Sequence, residues 1–161
     1  MLRNRITIAS FASVLLVIAV AGNAQPGGFL FWTDRASDTI RRSDLDGIGA
    51  IDIAAIPNEN HTIHVDPAGQ KLYWVASTSG TIRRSNFDGS APETVIAGGT
   101  AFPRELFVDS PNDKMYWVEQ TSGKLRRANL AGGAVVDLAT GLDVPYGIAA
   151  DVARGKLYWT V

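Results

Sequence analysis

No cysteine occurs in the 161 residues. That absence excludes disulfides, a lipid-modified cysteine anchor, a cysteine nucleophile and cysteine-ligated zinc, so the fold must rest on core packing alone. Histidine is almost as scarce. His61 and His64 are the only two, and three positions apart on a strand they point to opposite faces, which argues against a metal pair or a histidine base. No segment shows a sustained 3.6-residue apolar pattern, so helices are not expected. A strong charge excess is missing too: without the two arginines of the leader described next, 13 Lys and Arg face 16 Asp and Glu, a formal charge of −3. No electrostatic pull toward nucleic acid or anionic membrane follows from that balance.

The one dense apolar run lies at the start. Arg3 and Arg5 precede it, it extends from Phe11 to Ala21, and the small residues Gly22-Asn23-Ala24 follow. This is the order of a secretory signal peptide, and the run is short beside the roughly 20 residues of a spanning helix. Residues 1–24 are read as the leader, with cleavage after Ala24 or, alternatively, after Ala21. The mature chain is then secreted into an extracellular or periplasmic space, and only an uncleaved leader would tie it to a membrane.

What the mature chain does have is repetition. "FLFWTDRASDTIRRSDLDG" (29–47), "KLYWVASTSGTIRRSNFDG" (71–89) and "KMYWVEQTSGKLRRANLAG" (114–132) are three copies of one string, and "KLYWTV" begins a fourth at 156. Trp32, Trp74, Trp117 and Trp159 are spaced 42, 43 and 42 residues apart, and Asp66, Asp109 and Asp151 precede the last three by eight. Each period reads as four short strands rich in Val, Ile, Thr, Tyr and Trp, separated by Gly, Pro, Ser and Asp clusters. In the second period these are 62–66, 71–76, 81–87 and 93–97. Four strands in a period of this length indicate a β-propeller blade. The expected fold is all-β, about three blades plus the start of a fourth over residues 29–161, with the recurrent aromatics filling the space between blades.

At these residues the chain resembles the YWTD repeats, low-density lipoprotein receptor class B, whose pattern joins a Tyr-Trp-Thr-Asp strand, an Ile-x-Arg strand ending in Leu-Asp-Gly, and a Pro-x-Gly-Ile-Ala-x-Asp strand. Trp32-Thr33-Asp34, Ile40-Arg41-Arg42, Leu45-Asp46-Gly47 and the run from Pro145 to Asp151 match it. Val75-Ala76 and Val118-Glu119 replace Thr-Asp, and Asn60-His61-Thr62 replaces Pro-x-Gly; these copies are expected to lose some of the family's polar contacts. The resemblance implies a six-bladed propeller and a binding role.

Residues that recur are architectural by this reading. Arg42, Arg84 and Arg127 are expected to make internal ties, with Asp66, Asp109 and Asp151 as candidate acceptors, because buried arginine needs a paired acceptor. Asp46-Gly47 and Asp88-Gly89 read as hairpin turns, lacking the spaced acids of a calcium loop. Residues that differ between copies are the functional candidates. Strand parity collects Arg35, His61, Ser77, Arg104, Glu105, Glu119 and Tyr146 on the face opposite the Asp-Gly turns, the expected ligand-binding face for a protein or other extracellular ligand. No catalytic residues, metal ligands or cofactor are assigned. The enzyme alternative, a calcium-dependent lactonase or hydrolase, would need a ring of ligands, and Asn58, Glu59, Asn60 and Arg104 form none. Propellers close with about 4 to 8 blades, so two accounts fit the length: a truncated copy of a longer gene, which would leave a non-functional remnant as a further reading, and a homodimer closing a six-bladed ring.

Overall fold

The computed structural model of the protein describes residues 16–19, 28–34, 36–56 and 62–161. The strands follow the repeat. The first sheet contains β1 (Leu16–Ala19), β2 (Phe29–Asp34), β3 (Thr39–Asp44) and β4 (Ile51–Ala55). The second is β5 (Ile63–Asp66), β6 (Lys71–Ala76), β7 (Thr81–Asn86) and β8 (Glu93–Ile96). The third is β9 (Pro103–Asp109), β10 (Lys114–Glu119), β11 (Lys124–Ala128) and β12 (Val136–Ala139), and the fourth has only β13 (Ile148–Asp151) and β14 (Lys156–Trp159). Every pairing is antiparallel between consecutive strands. These are the blades of a β-propeller, and the sheets do not close into a ring. The helical content of the described residues is two 3-10 turns, Ser110–Asn112 and Val152–Arg154, and no helix there is long and apolar enough to cross a membrane.

The blades are held apart and together by the aromatic strand. In β6, residues Leu72 to Ala76 are all buried, because a strand inside a stack of sheets has no solvent face. Alternation sends Leu72 and Trp74 into the core shared with the first sheet, beside Phe31, Ile40, Ile53 and Phe87. It sends Tyr73 and Val75 into the core shared with the third, beside Leu106, Met115 and Trp117. Adjacent aromatics in the repeat therefore serve opposite interfaces. The same strand in the last sheet lacks a neighbour on one side, and Trp159 is 41 % exposed where Trp117 is wholly buried.

Two of the three recurrent arginines tie one blade to the next, and no such contact is seen for Arg127 among the described residues. Arg42 Nη1 donates to the Phe87 carbonyl at 3.2 Å and Arg84 Nη1 to the Leu130 carbonyl at 2.9 Å. Arg84 also donates to Glu93 Oε1 at 2.6 Å and to the Tyr73 hydroxyl at 3.1 Å. The expected pairing with the recurrent aspartates is not made. Asp66 accepts instead from the Gly69 amide at 3.0 Å and Asp151 from the Arg154 amide at 3.1 Å, while Asp109 accepts from Asn112 Nδ2 at 2.9 Å. These carboxylates close the turn between the first and second strands of their own blade, satisfying local donors as Asx turns do.

A strand also falls within the predicted leader. β1 lies against β2 with Leu16 opposite Trp32 and Ala19 opposite Phe29. Ile63 stands opposite Trp74 and Ile148 opposite Trp159 in the same register. β1 thus holds the innermost position of the first blade, where Ala19 stands in place of the recurrent aspartate. The remainder of residues 1–24 lies outside the described residues.

Candidate functional site

The up-and-down topology places the turns after each second strand and the connections between blades on one side, as the parity argument requires. Of the seven candidates for that face, Arg35 and His61 lie outside the described residues. The other five fall into two groups.

Ser77 and Glu119 are drawn into the structure. Ser77 is 2 % exposed and its hydroxyl donates to the Pro103 carbonyl at 2.6 Å, bridging the second blade to the third. Glu119 is 1 % exposed and collects three donors: Ser122 Oγ at 2.7 Å, Trp117 Nε1 at 3.0 Å and Arg126 Nη1 at 3.0 Å. Burial pushes its carboxyl up, but those hydrogen bonds outweigh burial and hold it below the usual carboxylate value. Both residues support the face from beneath.

Arg104, Glu105 and Tyr146 form the part that meets solvent. The Arg104 guanidinium carbon lies 4.9 Å from the ring centre of Phe102 and 4.9 Å from that of Tyr146, an aromatic bracket that lowers the cost of holding a cation. Its Nε is buried without a hydrogen-bond acceptor. Tyr146 is 59 % exposed. Glu105 Oε2 accepts from the Ile148 amide at 3.2 Å, and burial raises its carboxyl above the usual range. The patch spans two blades, since Phe102, Arg104 and Glu105 belong to the third and Tyr146 to the connection leading into the fourth.

One more residue stands out that sequence reasoning had not singled out for a role. Arg41 pairs with Asp34 at 3.7 Å and Asp52 at 2.7 Å, and Arg126 pairs with Glu119 at 3.0 Å and Asp137 at 2.8 Å. Glu119 thus preserves the acid of the Thr-Asp pattern, so that copy keeps its polar contact. Arg83 holds the same place in the second blade, where Ala76 and Thr94 replace both acids; it rests over the Trp74 ring at 5.6 Å with its Nε buried and unpaired. The missing acids were visible in the aligned copies, though their relation to Arg83 was not.

His64 is packed edge-on against Phe107 at 5.1 Å, and burial lowers its pKa, with Asp66 partly opposing. It belongs to the interface between blades. Among the described residues no group of three His, Asp or Glu side chains is placed to hold a metal ion.

No protein-family model matches the chain, and no curated protein matches it. Solved structures do. A nidogen/laminin complex aligns with a TM-score of 0.74 at 24 % identity, covering 81 % of this chain and 51 % of that one. An auxiliary nutrient binding protein from Bacteroides thetaiotaomicron aligns with a TM-score of 0.68 at 17 % identity, over 83 % of this chain and 43 % of that one. A streptogramin B lyase aligns with a TM-score of 0.68 at 17 % identity, over 91 % and 47 %. At these identities the likeness is one of fold. The chain spans about half the length of the structures it matches or less.

Proposed function

We propose that the chain is an exported module of the YWTD propeller type that binds a protein partner through the face carrying Arg104, Glu105 and Tyr146. The observation that carries this reading is the Arg104 guanidinium. It sits between two aromatic rings beside an exposed tyrosine, with a donor lacking any partner. A half-desolvated arginine flanked by aromatics is the composition of a binding hot spot, and a guanidinium is the group that pairs best with a carboxylate. The exported location is supported by the leader pattern, and the binding role by the repeat resemblance and by neighbours that include a binding complex and a nutrient binding protein.

The test is an array of acidic, basic and neutral decapeptides probed with the purified chain and with its Arg104→Met and Tyr146→Ala variants. Acidic peptides should be retained preferentially, and each substitution should weaken retention about tenfold, the equivalent of one lost charged contact. Retention that ignores peptide charge, or that both variants preserve, would contradict the proposal. The same samples separate binding from metal-dependent catalysis: an unfolding midpoint indifferent to calcium and to chelator belongs to the binding reading.

A further inference from the structure

One arginine in each complete blade rests on the repeated tryptophan in the same pose. The guanidinium carbon lies 5.7 Å from the Trp32 ring centre for Arg41, 5.6 Å from Trp74 for Arg83 and 5.7 Å from Trp117 for Arg126. In the first and third blades two acids hold that guanidinium. Asp34 or Glu119, at the end of the second strand, faces Nη1. Asp52 or Asp137, opposite the arginine on the fourth strand, faces Nε. Glu119 uses the place most fully, since its buried carboxylate also accepts from the Trp117 indole at 3.0 Å and from the Ser122 hydroxyl at 2.7 Å.

The second blade keeps the donors and lacks both acids. Ala76 lies opposite Thr81 as Glu119 lies opposite Lys124, and Thr94 lies opposite Arg83 as Asp137 lies opposite Arg126. Arg83 has not turned away toward another acceptor: its pose on the ring is that of its counterparts, and its Nε is buried without a hydrogen bond. Trp74 holds the place of Trp117, and Ala76 offers its indole N–H no side-chain acceptor. A guanidinium held out of water costs free energy unless it is paired, so the fold favours whatever supplies the missing charge. Ala76 is buried, Arg83 half-buried and Thr94 exposed, so solvent meets the place at its Thr94 end. This blade has a neighbouring sheet on each side, and the pattern therefore does not depend on either end of the array.

We infer that Arg83 receives a carboxylate group from solution, seated between Ala76 and Thr94 where the third blade has Glu119 and Asp137. A carboxylate is the ligand class because both sister blades satisfy the same guanidinium, in the same pose, with carboxylates. A planar guanidinium also pairs with that group better than with a neutral acceptor. Beyond its Cβ a glutamate is atom for atom an acetate, so acetate is the molecule that completes at Ala76 what Glu119 completes in its own blade. A free monocarboxylic acid and the carboxylate of a peptide carry the same group, and the experiment separates them. Arg83 rests on Trp74 in the core shared with the first sheet, whereas Arg104 stands between Phe102 and Tyr146. The inference is therefore independent of the binding face proposed above.

Thermal unfolding of the purified chain at neutral pH, in sodium acetate against sodium chloride of equal ionic strength, tests it. Acetate should raise the midpoint with half-saturation at about 1–10 mM, a range open to a ligand of so few atoms. Arg83→Met should abolish that rise, and Arg104→Met should retain it. Ala76→Glu should raise the midpoint without acetate and remove the response, because the blade then carries its own acid. Thr94→Asp, at an exposed position, should also remove the response and keeps the test readable if circular dichroism shows Ala76→Glu unfolded. Two peptides that differ only in a C-terminal carboxylate or carboxamide identify the source. Binding about tenfold tighter than acetate, lost on amidation, assigns the carboxylate to a partner chain, and binding no tighter than acetate assigns it to a small acid. Acetate and chloride acting alike would overturn the inference, as would a response that survives in Arg83→Met or in both acid-bearing variants. So would a response that appears only in Glu59→Gln, which would give the place to an acid that the chain carries between β4 and β5.

Discussion

Glu119 and His64 show how single side chains set the tolerance of the blades to substitution and to acid. Glu119 accepts the hydrogen bond of the buried Trp117 indole N–H and shares Arg126 with Asp137. Glu119→Ala leaves that indole and part of a guanidinium unpaired, and should cost about 3 kcal/mol in urea unfolding. Both groups favour their deprotonated form in the fold. Burial makes the neutral imidazole of His64 preferred, so its contribution is present above the ordinary value of 6.5 and is lost as pH falls below it, when the unfolded chain takes up the proton. The Glu119 contribution is present above the ordinary value of 4.5 and disappears as pH falls through its depressed folded pKa. A thermal midpoint that declines from pH 7 to 5 in the wild type, and less steeply in His64→Phe, is the expected outcome. At this scale the sequence showed which residues recur and was opaque for their partners. The recurrence of Arg84 announced a structural tie, but its acceptor in the next blade is a main-chain carbonyl, which has no signature in residue type. Asp66 was the apparent acceptor until a donor three residues away proved closer at hand.

Strands and turns were the most legible level, because each copy in the repeat is an independent statement of the same element. The strands expected in the second period match Ile63–Asp66, Lys71–Ala76, Thr81–Asn86 and Glu93–Ile96 to within a residue at either end. The turn chemistry was equally readable in kind, but its second purpose was not. Gly132 supplies a left-handed turn and also seats its blade on the Val95 carbonyl, a contact that only the stacked sheets reveal. The two purposes can be separated by mutation. Gly141→Ala, at φ +72° with nothing within 4 Å, should cost only the backbone strain of about 1 kcal/mol. Gly132→Ala adds a collision with backbone and should cost at least about 2 kcal/mol more. Equal losses in the two variants would mean that blade seating contributes nothing. The expected leader is the segment that pattern reasoning described least completely. An apolar run suits a signal segment and an inner strand alike, and within the run from Phe11 to Ala21 residues Leu16–Ala19 pair with β2.

For the whole molecule, repetition means that stability is shared between blades and the interfaces joining them. The cores lie between sheets, so no blade buries its apolar faces alone. Three groups carry the coupling at the two interfaces between the four-stranded sheets: the aromatic strand, the seated glycine and the arginine reaching the next blade. The candidate binding face was legible only as a side of the array. Ser77 and Glu119 were assigned to it by parity and are buried beneath it, whereas the bracketing of Arg104 by Phe102 and Tyr146 depends on how two blades meet. The central claim is that recurrent residues hold the blades together while the variable ones meet a partner. The most direct measurement is equilibrium urea unfolding, followed by tryptophan fluorescence, of Arg84→Met beside Tyr146→Ala. Arg84→Met removes the donor to Leu130, Glu93 and Tyr73, and should lower stability by about 1–3 kcal/mol and broaden the transition. Tyr146→Ala, at an exposed position, should stay within about 0.5 kcal/mol of the wild type. The reverse order, with Tyr146 essential to folding and Arg84 dispensable, would contradict the account.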